Sequence, residues 1–292
     1  MNFKPLINKL GLGLIRFGKR QFQIANAEKA ERRGVRLTNL LYRLDKKHRE
    51  QTLANLAIAF PEKSDVERYQ MARANYRHLG CIVADFVRAP SLSKEDQAMP
   101  EEGIEHLNRL LGAKKGVLLI TPHLGNWERL GAWAQVHGVR VSGVARDAND
   151  DELTQEVTKI RGTNGLQILS KGSAARDILT RLKGGEIIAI LPDQNGDEVF
   201  VPFFGHMAGT TVGPARLHLK TGAPILPTCF LRTGPGKFRV VFREPLEAYE
   251  GEDIEGLTTR VNAEIEAMIR LAPEQYLWMH DRWRNARRKG LL

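Results

Sequence analysis

The stretch Val117-Leu-Leu-Ile-Thr-Pro-His-Leu-Gly-Asn-Trp-Glu128 joins an apolar run to a polar turn, and a helical pattern follows the turn. A short apolar run that ends in such a turn is typical of a strand buried on both faces of a sheet. Similar runs recur later in the chain, and stretches of helical periodicity separate them. Because alternating strands and helices favour a largely parallel sheet with helices packed on its faces, the sequence predicts an α/β fold.

The alternation of predicted strands and helices begins at about residue 115. Strands are predicted at 117–121, 139–144, 166–169, 187–191, 224–231 and 238–242, and helices at 127–137, 150–161, 174–183, 212–220 and 254–271. The last two strands enclose a turn and are expected to add an antiparallel edge. In folds of this class ligands bind where strands end and helices begin, which directs attention to residues 121–128 and 191–205.

The chain before this region is predicted to be helical. Helical spacing of apolar residues through 37–56 and 66–87 predicts helices there. Residues 1–20 mix apolar and basic residues, and no apolar run approaches the ~20 residues that a membrane-spanning helix needs. This pattern is typical of a basic amphipathic segment on an anionic bilayer, although an ordinary packed helix has the same spacing. We expect a single domain with three regions, namely a membrane-contact segment at 1–20, a helical region at 21–100 and an α/β core at 101–292.

The composition of the 292 residues limits the classes of partner. Hydrophobic residues make up 42% and charged residues 27%, as in ordinary globular proteins. Lys and Arg outnumber Asp and Glu by 44 to 34, and the formal net charge of +10 favours an anionic partner such as acidic lipid, a phosphate-bearing substrate or nucleic acid. Cys81 and Cys229 match no zinc or redox spacing, which favours a reducing compartment over a disulfide framework.

The turn after the first predicted strand carries His123 and Glu128. A tight turn at Gly125 and Asn126 is expected to bring the two side chains together, so that the carboxylate fixes the imidazole tautomer and stabilises its protonated form. An imidazole held in this way takes a proton from a hydroxyl group as the oxygen attacks a carbonyl carbon. The helix that begins after Asn126 adds positive potential for an oxyanion or a phosphate. The alternative is a structural histidine beside a glutamate that complements the helix dipole.

The segment His123-Leu-Gly-Asn-Trp-Glu128 resembles the histidine-x4-acid signature of the lipid A biosynthesis (lauroyl/myristoyl) acyltransferases, a family within the lysophospholipid acyltransferase superfamily. Further blocks resemble the same family in the same order. They are Asn55-Leu-Ala-Ile-Ala-Phe-Pro-Glu62, Leu79-Gly80, Leu191-Pro-Asp-Gln-Asn195, Val199-Phe-Val-Pro-Phe-Phe-Gly205 with Thr210, Thr221-Gly-Ala-Pro-Ile-Leu-Pro227 and Pro273-Glu-Gln-Tyr-Leu-Trp-Met-His-Asp-Arg-Trp283. The resemblance covers about residues 50–285, and the ordered blocks make it far more specific than the histidine motif alone.

The resemblance implies a reaction and the residues that perform it. Members of the family transfer an acyl chain directly from acyl carrier protein or coenzyme A to a hydroxyl group of a lipid, without a metal or a bound organic cofactor. His123 would be the general base and Glu128 its orienting partner. Arg146 occupies the position of an arginine associated with substrate phosphate, a task for which a guanidinium offers bidentate donors.

Residues 191–205 supply most of the other expected substrate-binding residues. Asp193 and Gln194 follow an apolar strand and are expected at the rim of the site, where they position the acceptor or brace the catalytic turn. Phe203 and Phe204, with Phe200, are expected to line an acyl channel, and a plain aromatic core is the alternative. The predicted set is completed by Asn126, Gly205 and Thr210, the last two near substrate phosphate.

The resemblance leaves the acceptor open. It is a lipid A precursor or a related glycolipid, or alternatively another phospholipid, an aminolipid or a mannosylated inositol lipid. A non-catalytic basic protein that binds a membrane or nucleic acid would explain the charge but not a histidine and an acid at a strand end. The sequence also lacks the basic motifs with interleaved aromatics that single-strand binders carry, so nucleic acid is not expected as a partner.

The expected location is the cytoplasmic face of the inner membrane. Most members of the family begin with a transmembrane helix, whereas this chain has only the basic segment at 1–20, which predicts a peripheral or monotopic protein on an anionic surface. The basic run that ends at Lys289 is expected to bind anionic headgroups or acidic acyl carrier protein.

Overall fold

The computed structural model describes residues 20–113, 116–145, 151–163, 165–170 and 174–292. The helices are α1 (Ala27–Leu44), α2 (Lys46–Ala59), α3 (Asp65–Arg88), α4 (Lys94–Gln97), α5 (Ile104–Gly112), α6 (Arg129–His137), α7 (Asp151–Thr163), α8 (Ala174–Lys183), α9 (Gly213–Thr221), α10 (Ile254–Leu271) and α11 (Arg284–Arg288). The strands are β1 (Glu101–Glu102), β2 (Val117–Ile120), β3 (Val141–Ala145), β4 (Leu166–Ser170), β5 (Ile187–Ile190), β6 (Val199–Phe203), β7 (His206–Thr210), β8 (Ile225–Gly234) and β9 (Lys237–Phe242). Two short 3-10 helices span Ala89–Ser91 and Pro273–Gln275.

The main sheet has seven strands in the order β1-β9-β8-β2-β5-β3-β4. All neighbouring strands are parallel except β8 and β9, which form an antiparallel hairpin. This architecture confirms the predicted α/β fold with a largely parallel sheet. The short strand β1, which the sequence analysis did not predict, pairs with β9 and lies beyond the hairpin at that edge.

Both faces of the sheet are buried at its centre, which explains why β2 and β5 consist of apolar residues only. In β2, Leu118 and Ile120 belong to one hydrophobic cluster, whereas Val117 and Leu119 belong to a second cluster. Side chains alternate between the two faces along a strand, so each of these residues requires an apolar partner. The centre of the sheet is therefore well suited to hold the turn that follows β2 in one position.

The helical range predicted at 37–56 is divided in the structure between two helices, α1 and α2. Asp45 lies between α1 and α2, and its carboxylate accepts a hydrogen bond from the backbone N–H of His48 at 3.2 Å, so a new helix begins there. Helices α1 and α3 cross at Gly34 and Gly80, where a Cβ atom on either glycine would overlap the backbone of the other helix. This close approach makes α1 and α3 a tightly packed pair.

Strands β6 and β7 form a separate two-stranded hairpin, in the segment that was expected to line an acyl channel and to lie near substrate phosphate. Phe204 and Gly205 make its turn, both with positive φ. Phe203 and Phe204 are buried in the larger hydrophobic cluster, where Phe204 packs against Trp278 and Phe203 against Trp283. Phe203 and Phe204 therefore pack in the core against other aromatic side chains, whereas Phe200 is half-buried.

Two expectations fall on residues outside the described ranges, namely Arg146 and nearly all of the segment 1–20. Among the described helices, none has both the length and the apolar character needed to cross a bilayer.

Candidate active site

The turn between β2 and α6 is held against strand β8 by backbone contacts. Gly125 has a φ of +61°, and a Cβ atom there would overlap the carbonyl oxygen of Phe230, so this position requires glycine. The same carbonyl accepts a hydrogen bond from the backbone N–H of Asn126 at 2.7 Å. The side chain of Asn126 is buried and donates to Asp85 at 2.7 Å, and Asp85 also receives two hydrogen bonds from Arg129.

The segment 273–283 crosses the other side of this turn. The backbone N–H of Gly125 donates to the carbonyl of Gln275 at 3.1 Å, and the N–H of Leu277 donates to the carbonyl of His123 at 3.0 Å. The side chain of Asn55 in α2 fixes this segment by donating to the carbonyls of Trp278 and His280. The backbone on both sides of His123 is thus restrained.

The carboxylate that contacts the imidazole is Asp193. The pairing of β2 with β5 places Ile120 beside Ile190, and His123 and Asp193 each lie three residues beyond these partners. Nδ1 of His123 is 2.8 Å from Oδ1 of Asp193, and the backbone N–H of His123 donates to Oδ2 at 2.9 Å. Because a carboxylate only accepts hydrogen bonds, this contact assigns the proton to Nδ1 and leaves Nε2 with a free lone pair.

The position of Asp193 keeps it ionised beside the histidine. Its side chain is only 1% exposed, whereas that of His123 is 16% exposed. Burial by itself raises the pKa of the Asp193 carboxyl, but the His123 ring, the two hydrogen bonds from His123 and the charge of Arg282 together hold that pKa below its usual range. A buried negative charge therefore lies next to the ring and favours the imidazolium.

Glu128 does not contact the His123 ring, contrary to the predicted His–Glu pair. Its carboxylate receives two hydrogen bonds from Arg161 in α7, at 2.9 Å from Nε and 2.5 Å from Nη2, and a third at 3.0 Å from the indole of Trp127. The physical reason is the backbone of the turn, which directs His123 towards the end of β5 and Glu128 towards α7. The orienting contact belongs to Asp193, and a catalytic role for Glu128 stays a prediction.

A cavity of about 370 Å³ opens beside these groups. Its polar wall holds His123, Glu128, Arg161 and Gln194, and Nε2 of Gln194 is 3.4 Å from Nε2 of His123. The rest of the wall is largely apolar and comes from the neighbouring strands and the residues beyond them, including Leu130, Gly143, Val144, Leu166, Ile168, Ala189, Ile190 and Leu191. Nε2 of His123 thus lies where a polar part of the wall meets an apolar part.

Five of the other predicted substrate-binding residues, all within the described ranges, do not line this cavity. Thr210 is buried, and its hydroxyl accepts a hydrogen bond from Arg282 at 2.8 Å. Gly205 is exposed in the turn between β6 and β7, and the buried residues that do not line the cavity are Asn126, Phe203, Phe204 and Thr210. Asp193 lies behind His123, so it orients the imidazole and does not face the open space.

Sequence reasoning missed Arg161 and the buried Asp85–Arg129 pair. Arg161 is 33 positions from Glu128 in sequence, and Asp85 is 44 from Arg129, so no local spacing connects them. The apolar run before Asp193 did provide a signal, because in-register parallel strands bring equivalent positions together. The sequence analysis did not pair these two predicted strands, and pairing them in register would have placed Asp193 beside His123.

Comparison with known sequences identifies relatives over nearly the whole chain. The sequence profile of the bacterial lipid A biosynthesis acyltransferases matches residues 14–285. The chain is 28% identical over 261 residues to the lipid A biosynthesis lauroyltransferase of Escherichia coli (strain K12), covering 87% of this chain and 84% of that relative. It is 28% identical over 245 residues to the lipid A biosynthesis palmitoleoyltransferase of the same strain, covering 79% and 76%. It is also 29% identical over 189 residues to the phosphatidylinositol mannoside acyltransferase of Mycobacterium tuberculosis (strain ATCC 25618 / H37Rv), covering 62% and 58%.

Proposed function

The chain belongs to the bacterial lipid A biosynthesis acyltransferase family and is therefore an acyltransferase, and we propose that it transfers a fatty acyl chain from a thioester donor to a hydroxyl group of a glycolipid. The observation that carries this proposal is the His123–Asp193 contact of 2.8 Å at the edge of a largely apolar cavity. A lipid A precursor is the favoured acceptor, because the family profile and two of the relatives named above bear that name.

His123 acts as the general base in this proposal. Its Nε2 takes the proton from the acceptor hydroxyl while the hydroxyl oxygen attacks the carbonyl carbon of the thioester. The carbon–sulfur bond then breaks, and the departing thiolate takes the proton from the imidazolium. Asp193 holds the Nδ1–H tautomer and stabilises the imidazolium throughout, so the acyl group passes directly between the two substrates.

The apolar part of the cavity is the binding place for the acyl chain. Strands β3, β4 and β5 supply Gly143, Ile168 and Ala189 to its wall, and none of these side chains carries a polar group. Each methylene moved from water to such a surface contributes about 0.8 kcal/mol to binding. The chain bound there would present its thioester carbonyl to the polar wall, next to His123.

The Glu128–Arg161 pair contributes positioned charge to the same wall. Arg161 forms a two-point ion pair with Glu128, and both residues line the cavity. A guanidinium fixed in this way can donate to a carbonyl or phosphate oxygen while its partner holds it in place. We therefore assign Glu128 to the site as the residue that positions Arg161.

The donor and the location complete the proposal. Acyl carrier protein or coenzyme A supplies the thioester, and acyl transfer takes place on the cytoplasmic side of an anionic inner membrane. The net charge of +10 supports this setting, because both the donor carriers and the membrane surface are negatively charged.

The test is an acyl-transfer assay with purified full-length chain, acyl carrier protein loaded with a fatty acid, and a lipid A precursor. We expect mass spectrometry to show an acceptor heavier by one acyl chain. His123→Ala should abolish the product, whereas His206→Ala, which changes an exposed histidine at the start of β7, should not. If His123→Ala forms as much product as the parent, His123 is not the base. If the enzyme acylates a phosphatidylinositol mannoside and not the lipid A precursor, the proposed acceptor is wrong.

A further inference from the structure

The polar wall of the cavity presents a side-chain amide beside the imidazole of His123. Nε2 of Gln194 lies 3.4 Å from Nε2 of His123, and both residues line the cavity. Because Asp193 fixes the ring proton on Nδ1, Nε2 of His123 carries a lone pair and repels the amide oxygen, which is also an acceptor. The NH2 group of Gln194 is therefore the part of the amide that faces the space in which the acceptor hydroxyl must lie.

The loop that carries Gln194 is held in place on both sides. Asp193, which precedes it, is buried and bound to the imidazole of the proposed base. The backbone N–H of Asn195, which follows it, donates to Nε2 of His280 at 2.9 Å, and the side-chain oxygen of Asn195 accepts from the backbone N–H of Asn285 at 3.1 Å. Burial lowers the pKa of His280 to about 4, so at pH 7 its ring is neutral and its Nε2 stays an acceptor.

The backbone N–H groups around His123 already have acceptors. The carboxylate of Asp193 receives the N–H of His123, and carbonyl oxygens receive those of Leu124, Gly125 and Asn126. Acyl transfer passes through a tetrahedral intermediate whose oxyanion needs hydrogen-bond donors, and many enzymes supply them from the backbone. Here these four N–H groups are engaged, which leaves the task to other donors in the cavity wall.

The amide of Gln194 borders the place where the oxyanion forms. A hydroxyl that gives its proton to Nε2 of His123 lies about 2.6–3.2 Å from that nitrogen. The carbonyl carbon that it attacks starts about 3–3.5 Å from the hydroxyl oxygen, and the carbonyl oxygen is one bond further on. Two other donors in the wall, the guanidinium of Arg161 and the indole of Trp127, are directed to Glu128. The NH2 group of Gln194 instead faces the imidazole.

We propose that Gln194 donates a hydrogen bond to the oxyanion of the tetrahedral intermediate, and that the loop fixed by His280 holds its amide there. The proposal rests on the proposed function, because this oxyanion forms only when His123 directs a hydroxyl onto a thioester.

The electrons and the proton of this step balance without another reactant. In the intermediate the hydroxyl oxygen is bonded to the former carbonyl carbon, the proton is on His123, and the negative charge is on the former carbonyl oxygen. When the intermediate collapses, the oxyanion re-forms the carbonyl bond, the carbon–sulfur electron pair leaves with sulfur, and the thiolate takes the proton. The NH2 group of Gln194 thus exchanges a long contact with a neutral nitrogen for one with an anion, which stabilises the transition state more than the ground state.

The first test compares kcat for a thioester donor. Gln194→Ala removes the amide, and Gln194→Glu keeps the length of the side chain but presents only acceptor oxygens at neutral pH. Removal of one oxyanion donor costs about 10²–10³ in kcat, so we expect a loss of at least about 100-fold in both variants, with KM within about threefold of the parent. Gln70→Ala, which changes an exposed glutamine on α3, is the control and should have the kcat of the parent.

The second test separates contact with the oxyanion from mere support of the imidazole. In a dithioester donor sulfur replaces the carbonyl oxygen, and sulfur accepts hydrogen bonds more weakly. The ratio of kcat between the parent and Gln194→Ala should therefore fall from about 100-fold with the thioester to about threefold or less with the dithioester. A glutamine that only supports the imidazole would give the same ratio with both donors.

The third test measures binding without turnover. Decylphosphonate carries a tetrahedral anionic head group, and calorimetry should show that it binds about tenfold more weakly to Gln194→Ala than to the parent. Decanamide, which has a planar neutral head group, should bind to both proteins with similar affinity. Thermal unfolding verifies that the variant is folded, and ¹⁵N NMR of labelled histidine should show the proton of His123 on Nδ1 in both proteins.

Two results would overturn the role of Gln194. One is an equal ratio of kcat with the thioester and the dithioester, and the other is parent-like binding of decylphosphonate to Gln194→Ala. If the parent transfers acyl chains and either result is obtained, only the role of Gln194 is wrong and the proposed function stands. A parent that transfers no acyl chain would contradict the proposed function, and the oxyanion contact with it.

Discussion

Replacing Asp193 by Asn separates the charge of this residue from its shape. In the parent, Oδ1 faces Nδ1 of His123 at 2.8 Å and Oδ2 accepts from the backbone N–H of His123 at 2.9 Å. An asparagine has only one acceptor oxygen, so its NH2 group must face one of these two positions. The arrangement that keeps the backbone bond turns a donor towards Nδ1, and the proton then moves to Nε2, the atom that has to act as the base.

The expected loss in kcat follows from this wrong tautomer. A comparable Asp→Asn change behind a catalytic histidine lowers kcat by about 10⁴ in serine proteases, and we expect a loss on the order of 10³–10⁴ here. This corresponds to about 4–5.5 kcal/mol of activation free energy. Because Asp193 is 1% exposed and does not face the cavity, KM should change by no more than a few-fold. Loss of one charge-assisted hydrogen bond should lower the unfolding free energy by about 1–3 kcal/mol.

Three measurements test this reasoning. Steady-state acyl transfer gives kcat and KM, urea unfolding gives stability, and ¹⁵N NMR of labelled histidine reports which ring nitrogen of His123 carries the proton. Asp197→Asn, an exposed aspartate four positions away, is the control and should behave like the parent. Glu128→Gln should lower activity without changing the His123 tautomer. A folded Asp193→Asn enzyme with kcat within tenfold of the parent, or with its proton still on Nδ1, would refute the role assigned to Asp193.

Arg161→Lys keeps the charge but loses the two-point contact with Glu128. We expect steady-state kinetics to show a kcat/KM at least tenfold lower than that of the parent. Unchanged kinetics would mean that the ion pair is only structural. Gly143→Val adds a side chain to the apolar wall near Leu166, so in competition assays with mixed donors the enzyme should prefer shorter acyl chains than the parent does. An unchanged preference would mean that the acyl chain binds elsewhere. Burial lowers the pKa of His78 to about 4, so between pH 6.5 and 4 the unfolded chain binds a proton that the folded protein does not, and stability falls as the pH falls. This group alone should remove about 3 kcal/mol over that interval, and urea unfolding of His78→Gln should show a correspondingly weaker loss; equal pH dependence would contradict the assignment.

The fold was predictable where burial on two faces leaves a simple pattern. Strands β2 and β5 are continuous apolar runs because the sheet is covered on both sides, and such runs can be recognised in the sequence alone. The β6–β7 hairpin was not predictable in the same way. Pro202 and the positive φ of Phe204 interrupt its pattern, and Phe203 is buried only because distant aromatic residues cover it.

Only part of the site was predictable from the sequence. His123, Glu128 and Gln194 all line the cavity, as expected from their places at two strand ends. The partner of His123 depended on the path of the turn, which Gly125 and the carbonyl of Phe230 set through tertiary contacts. The five-residue spacing between His123 and Glu128 does not fix the direction of either side chain, so the backbone conformation decides which carboxylate the imidazole contacts.

The distribution of the two carboxylates has a consequence for the chemistry. Asp193 is nearly inaccessible and touches Nδ1, so its charge acts on the imidazole and not on the substrates. Glu128 is neutralised by Arg161 within the cavity wall, so the pair adds no net negative charge to the cavity. If Glu128 were the partner of His123, Arg161 would be left without its carboxylate, and the negative charge beside the imidazole would lie in the cavity itself. The proposed reaction needs a negative charge behind the imidazole to favour the imidazolium, and the balanced ion pair in front of it keeps the cavity open to the anionic substrates that we propose.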